Sequence, residues 1–208
     1  MADRDISQAV IRRLPRYYRY LGELVDDEIE RISSGELSDK MNVTASQIRQ
    51  DLNNFGGFGQ QGYGYNVKYL YNEIGKILGL DNIHNIVIVG AGKLGMAIAN
   101  FPSFNNRGFI TKALFDINKD VIGSNVHGAP VLHIDALVKF INENDIDIAV
   151  LTVPRQGADE VTSLLLKSNI KAIWNFTNKD LVVPENVSVE NVHLLDSLMQ
   201  LSYTITSR

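Results

Sequence analysis

The chain has 208 residues, 45% hydrophobic and 21% charged, a composition that builds a packed core and excludes disorder. It holds no cysteine, which excludes disulfides, thiolate metal sites and a cysteine nucleophile. The net charge of −4 speaks against a uniformly basic nucleic-acid binder, and no apolar run nears the ~18 residues that span a bilayer.

The N-terminal MADRDISQAVIRR is too charged for a signal peptide, so a soluble cytoplasmic protein is expected. Residues 6–29 read as helical, with Val10, Leu14, Tyr17, Leu21, Leu24 and Val25 near 3.6 spacing and Pro15 kinking or interrupting the helix. Residues 1–66 carry 8 Lys+Arg against 10 Asp+Glu, yet Arg12, Arg13, Arg16 and Arg19 cluster apart from Asp26, Asp27, Glu28 and Glu30. A local basic face suits phosphate contact. A merely solvated helix face is the competing reading.

Ser33 followed by Glu36 announces a second helix, which carries Leu37 and Met41 inward and stops near Asn42. Thr44 followed by Gln47 announces a third, through Ile48 and Leu52 to about Asn54. Two short helices about a turn at Asn42–Val43 have helix-turn-helix spacing. The following FGGFGQQGYGY, residues 55–65, is too glycine-rich for a helix and suits a tight hairpin with alternating Phe58, Tyr63 and Tyr65. A hairpin after a helix-turn-helix makes a winged helix. Residues 67–79 form a closing amphipathic helix, and a linker follows near 80–85.

From Asn85 the pattern alternates between strand and helix. NIVIVG is a continuous apolar run, as in a parallel strand buried on both faces. Further strands are expected at 109–115, 147–153 and 171–176, with helices at 92–101, 133–144 and 156–168. This is an α/β domain with a parallel sheet. Residues 190–205 read as a short strand and an apolar helix. The expected domains are 1–80, 81–190 and 191–208.

Gly90, Ala91, Gly92, Lys93, Leu94 and Gly95 form a GxGxxG run between that strand and a helix, the context that gives the motif meaning. The glycines allow a tight turn, close approach of a pyrophosphate and close helix–strand packing, while the helix start faces the phosphates. Asp116 ends the next strand, 21 residues after Gly95, where an acid binds ribose hydroxyls and repels a 2′-phosphate. NAD(H) is therefore favoured over NADP(H). A bare glycine-rich turn is the alternative. Thr152, Val153 and Pro154 end one strand, and Asn175 and Phe176 end another, at the carboxyl edge where ligands bind. Asn175 is expected to hydrogen-bond the cofactor and Pro154 to shape its nicotinamide pocket, unless these are ordinary strand-end residues.

A dehydrogenase also needs a proton donor or acceptor beside the nicotinamide. His84 is expected in the linker, His127 and His133 in a loop and at a helix start. None of the four histidines, His193 included, has a metal-ligand partner at helical spacing or an evident acidic orienter. A cofactor site without catalytic apparatus suggests sensing rather than an enzyme.

From RRLPRYYRYL (12–21) through ISSGELSDKMNVTASQIRQDLNNFGGFGQQGYGY (32–65), VIVGAGKLGMAIANFPSF (87–104), LFDINKDVIG (114–123), LTVP (151–154) and NFTNKDLVVPENV (175–187) to LMQLSY (198–203), the chain resembles the Rex family of redox-sensing repressors. The resemblance implies a winged helix, a Rossmann sheet, and a C-terminal helix swapped in a homodimer. It also implies binding to AT-rich palindromic operators, release by NADH, competition by NAD+, and control of fermentation and anaerobic respiration genes. Arg49 matches the base-reading arginine, which can pair with guanine N7 and O6. Arg12, Arg13, Ser46, Gln47, Gln50, Asn53, Asn54, Gln60 and Gln61 complete the DNA-contact set it suggests. Gln50, Gln60 and Gln61 stand where basic residues are common, so a shallower salt dependence and an altered operator preference are expected.

The redox switch departs further. In some members a helix-one arginine pairs with a carboxylate near the C-terminal helix, and a tyrosine takes part. Arg19 matches the arginine, but His193 stands at the carboxylate and Phe101 at the tyrosine. Asp196 is the proposed replacement. Leu194 is expected to wall the nicotinamide pocket, where an apolar surface favours the neutral reduced ring. Leu194, Leu195, Leu198, Met199 and Leu201 make the last helix too apolar to stand in water, so it packs on its own domain or on a second copy. A small NAD-dependent oxidoreductase, or a nucleotide-binding regulator with a protein-binding N-terminal domain, is the alternative function.

Overall fold

The computed structural model describes residues 6–60 and 63–207, with Gln60 described by its backbone alone. The chain forms two compact units, Met1–Asp81 and Asn82–Arg208.

In the first unit α1 spans Gln8–Ile11 and α2 Leu14–Asp26. The helical stretch expected over 6–29 is thus interrupted beside Pro15, the second of the two outcomes expected there. Pro15 sits in the first turn of α2, where its missing amide breaks no bond, so it starts a helix rather than kinking one. After β1 (Arg31–Ile32), the helix α3 (Ser34–Met41) opens on a reciprocal capping box between Ser33 and Glu36. It closes on Asn42 in the left-handed region, at φ 54°. Helix α4 (Ala45–Asn53) has Thr44 as its cap, accepting from the Gln47 amide at 3.2 Å. Strands β2 (Gly59–Gln60) and β3 (Gly64–Asn66) make the wing hairpin, and α5 (Val67–Ile77) closes the unit. β1, which the sequence reading missed, pairs with β3, giving a three-stranded order β1-β3-β2. Leu14, Tyr17, Leu21, Leu37, Met41, Ile48, Leu52, Leu70 and Ile74 form one core beneath these elements.

The second unit begins with β4 (His84–Val89), so His84 is not in a linker: it opens a strand and pairs with Phe109. Then follow α6 (Lys93–Ala99), β5 (Phe109–Asp116), β6 (Asn125–Val126), β7 (Ala129–His133), α7 (Leu137–Glu143) and β8 (Ile148–Leu151). The chain continues through α8 (Ala158–Leu165), β9 (Ala172–Asn175), β10 (Ser188–Asn191) and α9 (Leu194–Thr206). The sheet order is β10-β9-β8-β4-β5-β7-β6, parallel except for the β6–β7 hairpin. β6 and β7 were not expected; His133 ends β7 opposite Asp116 and also stands at a helix start, its side chain accepting from the Asp135 amide at 3.3 Å to cap a 3₁₀ turn that runs into α7. Val87 and Val89 enter one core and Ile86 and Ile88 the other, which explains the unbroken apolar run of β4.

Candidate functional site

The order of strands reverses at β4, whose neighbours are β5 and β8. The crevice at the carboxyl ends of β4 and β8 is thus the switch point where open α/β sheets take their ligands. Gly90 turns there with φ 105°, and a Cβ on it would meet Thr152 backbone and Oγ1 at 2.9 Å. A Cβ on Gly95 would fall 1.9 Å from the Gly90 carbonyl oxygen, so only glycine lets α6 approach the turn this closely. A Cβ on Gly92 would meet nothing within 4 Å. The open side of the turn therefore faces Gly92, at the start of α6, where Lys93 is exposed and Leu94 packs towards the core.

The Thr152 hydroxyl donates to the Gly90 carbonyl at 2.8 Å and its amide donates to Val89 at 2.9 Å, pinning the turn to β8. Asp116 lies beside it, accepting the Ala91 amide at 2.6 Å and the Ile117 and Asn118 amides at 2.8 Å each. Three backbone donors orient this carboxylate and leave acceptor capacity for hydroxyls. Ile117, 73% exposed directly behind it, is an apolar platform that the sequence reading passed over. Its signal was an apolar residue one step beyond a strand-ending acid.

Val153 is half-buried against the core, Pro154 is exposed before a short 3₁₀ turn, and Phe176 stacks edge-on to Trp174 at 4.7 Å. Asn175 corrects the expectation placed on it. It is 1% exposed, its amide donates to the Lys179 carbonyl and to Asn191 at 2.7 Å each, and its oxygen accepts from the Thr177 amide and hydroxyl. All four of its hydrogen-bonding positions are taken, so it ties β9 to β10 and has none left for a cofactor.

In the first unit, α4 buries Ile48, Asp51 and Leu52 and exposes Ser46, Arg49, Gln50 and Asn53. Those four fall at i, i+3, i+4 and i+7, a single outward face. Arg49 Nη1 donates to Ser34 Oγ at 2.8 Å, and the Asn54 side-chain amide donates back to the Gln50 carbonyl. Arg12 and Arg16 are exposed near the start of α2. Gln61 lies outside the described residues, and the side chain of Gln60 likewise.

Arg13 and Gln47 are placed differently from the expectation. Arg13 grips Asp51 with two bonds, of 2.6 and 2.8 Å, while Gln47 Nε2 and the Tyr17 hydroxyl each donate to it at 2.8 Å. Their polar groups turn inward to a carboxylate that is fully buried. Burial alone would push the Asp51 carboxyl up, but the Arg13, Tyr17 and Gln47 bonds outweigh it and hold it below its ordinary range. Burial, then the bond to Asp51, pushes the Tyr17 phenol up, and Asp51 raises Arg13 further. No sequence spacing flags this hub, because Arg13 and Asp51 are 38 residues apart.

Of the switch residues, Arg19 is exposed with its guanidinium 5.8 Å from the Tyr20 ring, and Phe101 is exposed and tilted against Phe104. His193 occupies the N-cap position of α9 with no side-chain bond to the helix and lies 3.9 Å from Asp180, and the Asp196 amide donates to the His193 carbonyl. α9 has no buried residue: Leu194, Leu195, Leu198, Met199, Leu201, Tyr203 and Ile205 are all exposed in the single chain. Among the described residues no group of acids and histidines could hold a metal, and no helix is long and apolar enough to cross a membrane.

Comparison with known proteins matches residues 81–179 to the family described as CoA binding domain and residues 5–53 to Putative DNA-binding protein N-terminus. The redox-sensing transcriptional repressor Rex of Clostridioides difficile (strain 630) is 60% identical over 203 residues, covering 98% of this chain and 97% of the relative. That of Thermoanaerobacter sp. (strain X514) is 56% identical over 200 residues, covering 96% and 89%. Among solved structures, RSP in complex with beta-NAD+ and operator DNA matches at TM-score 0.93 and 55% identity, over 99% of this chain and 94% of that one. RSP in complex with beta-NADH matches at TM-score 0.92 and 51% identity, over 99% and 96%.

Proposed function

Since the chain belongs to the Rex family of redox-sensing transcriptional repressors, we propose that it binds AT-rich palindromic operators as a homodimer and releases them when NADH replaces NAD+. It acts in the cytoplasm on genes of fermentation and anaerobic respiration, and it is a repressor rather than an oxidoreductase. The observation that carries this reading is the pairing, in one chain, of an outward helix face bearing Arg49 with a nucleotide turn at the switch point of a Rossmann sheet.

The residues fit a dinucleotide. The open side of Gly92 admits a pyrophosphate to the helix start, with Gly90, Ala91, Lys93, Leu94 and Gly95 framing it. Asp116 takes the ribose hydroxyls, and its negative charge disfavours a 2′-phosphate. Ile117 packs on the adenine. Thr152, Val153, Pro154, Phe176 and Leu194 belong to the nicotinamide end, where apolar walls favour the uncharged reduced ring. On DNA, Arg49 reads a guanine edge in the major groove, with Ser46, Gln50 and Asn53 on the same face and Arg12 on phosphate. Gln60 and Gln61 belong to the wing, and Asn54 braces the end of α4. Arg13 and Gln47 serve through Asp51.

The bare face of α9 is covered by a second copy, which supplies the two-fold symmetry a palindrome requires. Arg19, Phe101, His193 and Asp196 form the redox relay between copies, and Asp180 offers a second carboxylate beside His193. A hundredfold preference of NADH for the released arrangement corresponds to about 2.7 kcal/mol, within the range of allosteric couplings.

The test is a mobility shift on an AT-rich palindromic duplex with NAD+, followed by titration with NADH. Energy transfer to the reduced nicotinamide from Trp174, the single tryptophan, follows binding independently. Release in step with energy transfer is expected. Energy transfer without release would make the chain a nucleotide-bearing DNA binder only, and NADH turnover with small carbonyl compounds would favour the oxidoreductase.

A further inference from the structure

The wing of the first unit has an electrostatic gap. Residues 55–66 include no lysine or arginine, so the hairpin brings no charge of its own to a nucleic-acid backbone. Arg31 lies beside it in sequence order only through β1, at the edge of the three-stranded sheet opposite Asn66 of β3. Its side chain runs along that edge towards the hairpin tip. There Nη1 donates to the Tyr63 carbonyl at 3.2 Å, and the guanidinium carbon stands 6.0 Å from the centre of the Tyr63 ring. Both side chains face solvent, Tyr63 at 70% exposure.

The other cations of the unit show why this placement matters. Arg13 is neutralised by Asp51 and Lys76 is paired with Glu73, whereas Arg31, like Arg49 and Lys68, makes no ion pair among the described residues and is the cation bonded to the wing hairpin itself. One of its five N–H groups is used on Tyr63, and the rest of the planar fork remains outward. The bond to a backbone carbonyl and the ring beneath restrain a long side chain, so less conformational entropy is lost when it meets a phosphate.

We propose that Arg31, braced on Tyr63, is the phosphate-binding cation of the wing, supplying from the neighbouring strand the charge the hairpin lacks. The inference rests on the reading of the chain as an operator-binding dimer. In such a dimer two copies of Arg31 each neutralise one phosphate, and each contributes about 0.9 to the slope of log affinity against log salt.

The experiment measures binding of the full-length chain, as wild type, Arg31→Gln and Arg31→Lys, to one AT-rich palindromic duplex between 50 and 200 mM salt. The glutamine variant should lower the slope by about 1.8, so that wild type loses roughly tenfold more affinity than the variant across that fourfold salt range. The lysine variant, which keeps the charge, should restore the slope while binding somewhat more weakly. NADH energy transfer from Trp174 should be the same in all three. A wild-type slope retained in Arg31→Gln overturns the proposal, as does weaker binding of equal slope in both variants, the mark of a merely structural role. Failure of the wild type itself to bind the duplex removes the operator reading and this proposal together.

Discussion

Each unit of this chain is organised around a buried or half-buried carboxylate, and the two are held in opposite ways. Asp116 is oriented by backbone amides of its own strand end and of the adjacent glycine turn. Asp51 is held by the charged guanidinium of Arg13 just before α2, by Tyr17 of α2 and by Gln47 of α4. Backbone donors carry no net charge, so Asp116 keeps its charge and spare lone pairs for a ligand. Side-chain donors match Asp51 in charge and number, so it becomes a strut. The difference separates a carboxylate that binds from one that positions.

The comparison breaks most visibly at the glycine turn. Gly95→Ala drives a methyl to 1.9 Å from the Gly90 oxygen, and we expect NADH affinity to fall more than ~100-fold with about 3 kcal/mol of destabilisation of the second unit. Calorimetric titration with NADH and thermal melting check it. Gly92→Ala, with open space around its Cβ, should melt like wild type and lose NADH affinity alone. Wild-type affinity in Gly95→Ala would mean the backbone turn is not the binding element.

Next in size, Asp51→Ala leaves Arg13 without its partner beside a buried void, an expected cost of about 3 kcal/mol in chemical denaturation of the first unit. NADH binding, followed through Trp174, should be unchanged. Asp116→Ala reverses that pattern. It should weaken NADH by about 10–100-fold, equivalent to roughly 1.4–2.8 kcal/mol, with less effect on melting than Asp51→Ala. Equal losses of stability in the two variants would erase the distinction between strut and binder.

The smallest effect is in the acid limb. The Asp51 carboxyl is held below its ordinary value, so its contribution is complete above the unfolded carboxylate pKa of about 4 and is lost as pH falls through its lower folded value. Stability of the first unit should therefore decline below about pH 4 more steeply in wild type than in Asp51→Ala. Parallel acid limbs would mean the hub adds nothing through its charge.

What was legible beforehand follows the same division. The Ser33–Glu36 box, the left-handed Asn42, and the Gly90–Gly95 turn with Asp116 depend on neighbours a few residues away, and their spacing carries the signal. The Asp51 hub joins residues 38 positions apart, and nothing in the periodicity of α2 or α4 announces it. β1 and β6 have two residues each, too short for alternation to register, and β7 contains Pro130, which reads as a breaker but sits at the edge hairpin opposite Asn125. Asn175 looked available because strand-end position is visible in sequence, whereas its four partners are not.

The uncovered stripe of α9 has a kinetic consequence. If its thirteen residues find shelter only on another copy, completing the native state is a second-order reaction, while each core forms at a rate independent of concentration. Freshly made chains at low abundance would then wait for a mate with an oily helix bare. The supply of working repressor would rise more steeply than its synthesis.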